Sequence, residues 1–274
     1  MNIVGEGNFT TKLLVPRALR LDAQRLHDFV ATASEYSHGE PPQTDQLHDL
    51  IKKWHTLCEL SLKELEAGED DDRNTRIVKG MCRLKIIYGF ETEWIDAFLA
   101  SMLTDARPMT YHTLGETLAY VYGSAEVVGF MVAKLLRLPK EALPYAALQA
   151  RALQWVNFLS RIGEDSKLGR CYIPREDIQQ FELKDVSART AYATPEAFKQ
   201  LMHFELNRFW QWKNEAESGM AFVPRRSRVP IQVATDTATW TARRLAKDPL
   251  IVFQRSLKPK KSRILRSTLV RYLD

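Results

Sequence analysis

Residues 152–174 read ALQWVNFLSRIGEDSKLGRCYIP, and the spacing of apolar and polar side chains in this stretch decides how the rest of the chain is understood. Leu148, Ala152, Trp155, Val156, Leu159 and Ile162 recur at three- and four-residue intervals, which predicts a helix with one apolar stripe. Asn157, Arg161 and Asp165 fall at i, i+4 and i+8. They therefore stack along one line of the polar face, with Gln154 and Glu164 beside them. A polar row turned into a bundle is how an all-helical protein builds a polar site.

Working outward, the same periodicity recurs and no alternating strand pattern competes with it, so the fold class is all-α. Helices are predicted over 19–37, 45–66, 76–88, 91–103, 113–136, 195–219 and 231–247, with the loop GEPPQT at 39–44 and Pro195 opening a long helix. That long helix carries Phe198, Leu201, Met202, Phe204, Leu206, Phe209, Trp210 and Trp212, too many for a narrow stripe, so it is heavily buried or lines a cavity. In 91–103, Trp94, Ile95, Phe98, Leu99 and Met102 are expected to face inward, with Asp96 and Asp105 on other faces. In 113–136, the small residues Gly123, Ser124, Ala125 and Gly129 call for close approach, because glycine inside a helix costs about 0.5–1 kcal/mol relative to alanine. Either a neighbouring helix or a ligand chain meets that requirement.

Composition bounds the function. With 274 residues, 45% hydrophobic and 27% charged, the chain can bury one large core, and a single domain over 1–274 is expected. Cys58, Cys82 and Cys171 are far apart and form no CxxC pair, which indicates neither a disulfide framework nor a zinc site and fits a reducing cytoplasm. No signal peptide is read at the N-terminus. No uninterrupted apolar stretch is seen to reach the roughly 18 residues needed to span a bilayer. The expectation is a soluble protein, with membrane contact confined to its surface.

The net charge of +5 is uneven: residues 200–274 hold 15 Lys or Arg against 6 Asp or Glu. The tail 258–274, KPKKSRILRSTLVRYLD, is read as a solvated end of the domain or as a peripheral contact with anionic lipid. No nucleic-acid-binding pattern accompanies the charge. The acidic run Asp70, Asp71 and Asp72 sits in a linker and reads as a solvated turn, since consecutive helical residues point about 100° apart. Glu35 and His38, three residues apart, are weighed as a metal or proton-exchange pair and as surface decoration. His27 is weighed as a satisfied buried histidine and as a ligand or base, and the first reading is preferred.

The pattern Asn157, Gly163, Glu164, Asp165, Gly169, Arg170, Tyr172 and Pro174 resembles the second signature of the squalene/phytoene synthases, which join two prenyl diphosphates head to head. Residues 6–20, 89–105, 113–136 and 222–267 resemble other family segments in the same order. The resemblance implies the isoprenoid synthase fold, a single bundle around a deep cavity, and a substrate site lined by Tyr120, Tyr122, Gln154, Asn157, Arg161, Arg170 and Tyr172. In the family the second signature carries two aspartates four residues apart that bind magnesium. This chain keeps Asp165 and has Arg161 at the other position. The first signature, an Arg followed by Asp-Asp-x-x-Asp, aligns with Ala31, Ser34, Glu35 and His38, so the Arg and all three Asp are replaced.

Clustered oxygen ligands are what hold magnesium, and here Glu164 and Asp165 are the remaining candidates. Arg161 is expected to repel the cation and to pair with Asp165 or Glu164 one turn on. The leading expectation is a protein that keeps the fold and cavity, binds a prenyl diphosphate or prenyl lipid, and has lost magnesium-dependent condensation, working with an intact paralogue as partner. The opposing expectation is an active prenyltransferase that uses magnesium and in which Arg161 grips a diphosphate directly. A third is a non-catalytic assembly factor.

Overall fold

A computed structural model of the chain describes residues 17–66, 72–257, 263, 264, 267, 268 and 271. Eleven helices suffice to follow it: α1 Arg20–His38, α2 Thr44–Leu57, α3 Leu62–Glu66, α4 Arg73–Tyr88, α5 Thr92–Asp105, α6 Leu114–Leu135, α7 Leu143–Asp165, α8 Arg175–Gln180, α9 Ala188–Ala193, α10 Pro195–Glu217 and α11 Arg225–Lys247. Among the described residues the only extended pairing is an isolated bridge between Thr110 and Cys171. The short helices α8 and α9 lie where the periodicity predicted no helix.

Helix ends follow local chemistry. Asp72 caps α4 by accepting from Thr75 N at 3.1 Å and from its hydroxyl at 2.7 Å, and Lys53 pairs with the same carboxylate. The expected solvated acidic turn thus supplies a cap; Asp70 and Asp71 lie outside the described residues. Thr113 caps α6 while Glu116 reaches back to His112 N at 2.6 Å, a capping box. Pro144 and Pro195 lie in the first turns of α7 and α10, where a missing N–H costs nothing.

Two apolar cores flank the middle of the bundle. One gathers Phe29, Trp54, Met81, Leu84, Phe98 and Met131 from α1, α2, α4, α5 and α6. The other gathers Trp155, Leu159, Phe198, Leu201, Phe209 and Leu245 from α7, α10 and α11. Helix α6 passes between them by backbone contact: a Cβ on Gly123 would come within 2.5 Å of the Ala97 carbonyl oxygen, and one on Gly129 within 2.7 Å of that of Ala146. Helix packing therefore explains both glycines, and Gly129 also lines the cavity.

Helix α6 is interrupted by a wider π turn at Tyr122–Glu126, a feature often found at functional sites. Glu126 in that turn is buried and accepts from Arg151 Nε of α7 at 2.7 Å. By length and composition α6 could cross a membrane, although Glu116 and Glu126 interrupt its apolar run. Half of its most apolar window is buried within the bundle.

The three cysteines are unpaired. Most of the basic tail lies outside the described residues. Where it is described, Arg271 and Ser267 both engage Asp236 of α11, and Ile264 packs on Val229 and Val233.

Candidate functional site

The space between the two cores is a cavity of about 620 Å3, within the range of small-molecule sites, roughly 300–1,000 Å3. Its long wall is apolar, with Val128, Val132, Leu136, Leu153, Ile231 and Ala234 among its lining. At one end polar groups converge: Ser34 and His38 from α1, Asp105 from α5, Tyr120 from α6, Asn157, Arg161 and Asp165 from α7, and Tyr172 from the loop after it.

The loop that brings Tyr172 back is set by Gly169, whose φ of +69° is the left-handed conformation glycine adopts without strain. Arg170 N then donates to the Asp165 carbonyl at 2.9 Å, and the chain returns beside Met109. The Tyr172 ring stacks on Phe158 of α7 with centroids 4.3 Å apart and planes 7° from parallel. Tyr120 and Tyr111 extend this aromatic group.

Asp105 is the centre of the polar end, with 1% of its surface exposed. Tyr120 and Tyr172 donate their hydroxyls to its two oxygens at 2.6 and 2.9 Å, and His38 Nε2 lies 3.4 Å away. Burial pushes the Asp105 carboxyl above its ordinary range, against the pull of His38 and the two tyrosines. The same burial, with the Asp105 charge adjacent, raises both tyrosine hydroxyls. The sequence reading placed Asp105 on an outer face, and this is corrected. The signal was present: Asp105 follows Met102 by three residues and Phe98 by seven, on the inward line of α5.

The polar row of α7 enters the cavity as its spacing requires. Arg161 donates to Asp165 Oδ1 at 3.3 Å and lies 3.6 Å from Glu164 Oε2. Burial raises the Asp165 carboxyl, and Arg161 opposes that shift. Gln154, Asn157, Tyr120 and Tyr172 line the cavity. Five other residues singled out in the sequence do not. Tyr122 is 40% exposed and meets Phe130 edge-on, because two residues along a helix turn about 200° and carry it away from Tyr120. Arg170 is buried behind the site, donating to the Ser37 carbonyl at 3.5 Å. Glu164 turns outward, its side chain 46% exposed. Glu35 pairs with Arg73 at 2.9 Å on the surface, so it and His38 diverge and form no pair. Ala31 is outside the cavity lining, whereas Ser34 and His38 are part of it.

This donor set does not fit a divalent cation. Asp165 is engaged by Arg161, Asp105 by two tyrosines, and among the described residues no three His, Cys, Asp or Glu side chains converge to hold a metal ion.

An all-α bundle closed around an apolar cavity with one polar end is the architecture of the isoprenoid synthases. The family model for squalene/phytoene synthase matches residues 3–263, and the chain belongs to that family. It is 28% identical over 256 residues to a 15-cis-phytoene synthase of Synechocystis sp., covering 88% of this chain and 71% of the relative. It is 24% identical over 234 residues to the 15-cis-phytoene synthase of Synechococcus elongatus, covering 80% and 72%. In fold it resembles squalene synthase HpnC from Alicyclobacillus acidocaldarius, with TM-score 0.73, 22% identity, and 88% of this chain and 89% of that one covered. It also resembles a dehydrosqualene synthase solved with a ligand, with TM-score 0.73, 16% identity, and 98% and 91% covered.

Proposed function

We propose that this protein binds a prenyl ligand in its central cavity and does not catalyse magnesium-dependent head-to-head condensation. Its place is in isoprenoid metabolism, beside an intact relative that performs the condensation. The observation that carries this reading is the position of Arg161: its guanidinium reaches both carboxylates of the following turn, at 3.3 and 3.6 Å. A cation placed among those oxygens would face a fixed positive charge at contact range. On α1, the matching line presents Ser34 and His38 in place of carboxylates.

Two diphosphates entering a dry cavity bring several negative charges, and one must depart as an anion, so the reaction depends on concentrated positive charge. The test is incubation of the purified full chain with labelled geranylgeranyl or farnesyl diphosphate, with and without magnesium. Pyrophosphate release is expected to stay at background in both. Magnesium-dependent release above background would falsify the reading in favour of an active prenyltransferase. Thermal stabilisation by prenyl compounds separates it from an assembly factor that binds none.

A further inference from the structure

The charged groups at the polar end of the cavity are already engaged, whereas three neutral side chains along its lining are not. Arg161 is shared between Asp165 and Glu164. Both Asp105 oxygens accept tyrosine hydroxyls. By contrast, the side-chain amides of Gln154 and Asn157, both lining the cavity, make no hydrogen bond among the described residues. The Ser124 hydroxyl, in the π turn that also lines it, is buried without a partner. These groups offer donors and acceptors without net charge.

The charge balance points the same way. Among the described residues, the lining contains one arginine, Arg161, two aspartates, Asp105 and Asp165, and the histidines His27 and His38. The two aspartates outnumber the one arginine, which is already shared between acidic partners. A diphosphate, carrying at least two negative charges, would be buried against two carboxylates with its single candidate arginine held by other partners. Burying a charge without a free counter-charge is strongly unfavourable. A hydroxyl or carbonyl head meets no such penalty and can pair with the amides of Gln154 and Asn157.

From the engaged charges and unengaged amides we infer that the occupant is an uncharged isoprenoid with a hydroxyl or carbonyl at its head, held by Asn157, Gln154 and Ser124, rather than a prenyl diphosphate. This rests on the proposal that the cavity binds a prenyl chain and narrows it to one class of head group. The protein then handles an isoprenoid from which the diphosphate has already been removed. The reaction class that supplies it is a hydrolysis or ionisation that releases pyrophosphate elsewhere.

The experiment compares geranylgeraniol with geranylgeranyl diphosphate, each presented to the full chain in the same detergent, by thermal shift and titration calorimetry in chelator and again with magnesium. The alcohol is expected to raise Tm and to bind at least about tenfold more tightly than the diphosphate in chelator, with magnesium leaving that order unchanged. Asn157→Leu is expected to weaken the alcohol roughly three- to tenfold, the size of one neutral hydrogen bond, while binding of the hydrocarbon squalene stays the same. Ser124→Ala provides the same contrast with a smaller change in shape should Asn157→Leu not fold. Diphosphate binding as tight as or tighter than the alcohol in chelator overturns the inference and leaves the prenyl-cavity reading standing. Binding of neither compound removes both.

Discussion

Two arginine–carboxylate clusters among the described residues are built differently. In the interior, Arg208 of α10 donates to both oxygens of Asp177 at 2.5 and 3.0 Å and to Glu205 at 2.8 Å, with its guanidinium 4.6 Å from the Phe204 ring centroid. At the cavity, Arg161 contacts Asp165 and Glu164 at 3.3 and 3.6 Å, and one of those carboxylates faces outward. The first is a forked, buried clamp fastening α8 to α10. The second is looser, joins residues within one helix, and borders open space. Short geometry marks the cluster that holds the fold, while the longer contacts sit where the family places its chemistry.

The comparison breaks most clearly at the clamp. Arg208→Ala strands Asp177 and Glu205 in the interior, and a loss of about 3–5 kcal/mol is expected on urea denaturation. A loss below about 1 kcal/mol would mean that the interior cluster is no more structural than the one at the cavity. Arg161→Ala is expected to cost less, about 1–2 kcal/mol, because its partners are a single turn away and water reaches Glu164.

The pH dependence sharpens the contrast. Burial first, and the neighbouring Asp177 charge after it, raise the Glu205 carboxyl to about 8 from its ordinary 4.5. A carboxyl raised in the folded state holds its proton there after the unfolded chain has released it. Its favourable contribution is therefore complete below about pH 4.5 and declines as pH rises towards 8. Glu205→Gln should flatten the stability profile across that window by up to about 1 kcal/mol per pH unit. An unchanged slope would show that Glu205 is not the group responsible. The smallest effect expected is on activity: Arg161→Asp alone should release no pyrophosphate from prenyl diphosphates, because Ser34 and His38 still occupy the facing line. Turnover in that single variant would show that α7 alone governs metal capture.

Much of the site could be read in one dimension because it lies on one helix. Asn157, Arg161 and Asp165 line the cavity together since a helix repeats every 3.6 residues, and the Arg161 pairing follows from the same spacing. Residues predicted by correspondence with a motif were divided: Tyr120 and Tyr172 line the cavity, and others do not. Tyr122, Arg170, Glu164 and Glu35 occupy matching or neighbouring positions but turn to solvent, to the Ser37 carbonyl or to Arg73. A motif specifies residue types, whereas side-chain direction depends on local phase and on nearby partners. The π turn at Tyr122–Glu126 alters that phase midway along α6.

The chain by itself determined the helical class, the polar row and the scarcity of metal-binding carboxylates, since each follows from residue identity and a local repeat. Only the tertiary structure could bring His38, Asp105, Tyr120 and Tyr172 together from four separate segments, show that two tyrosines engage Asp105, and leave the amides of Gln154 and Asn157 without partners. Those are relations between distant segments, settled when helices pack and water leaves, and no spacing along the sequence encodes them.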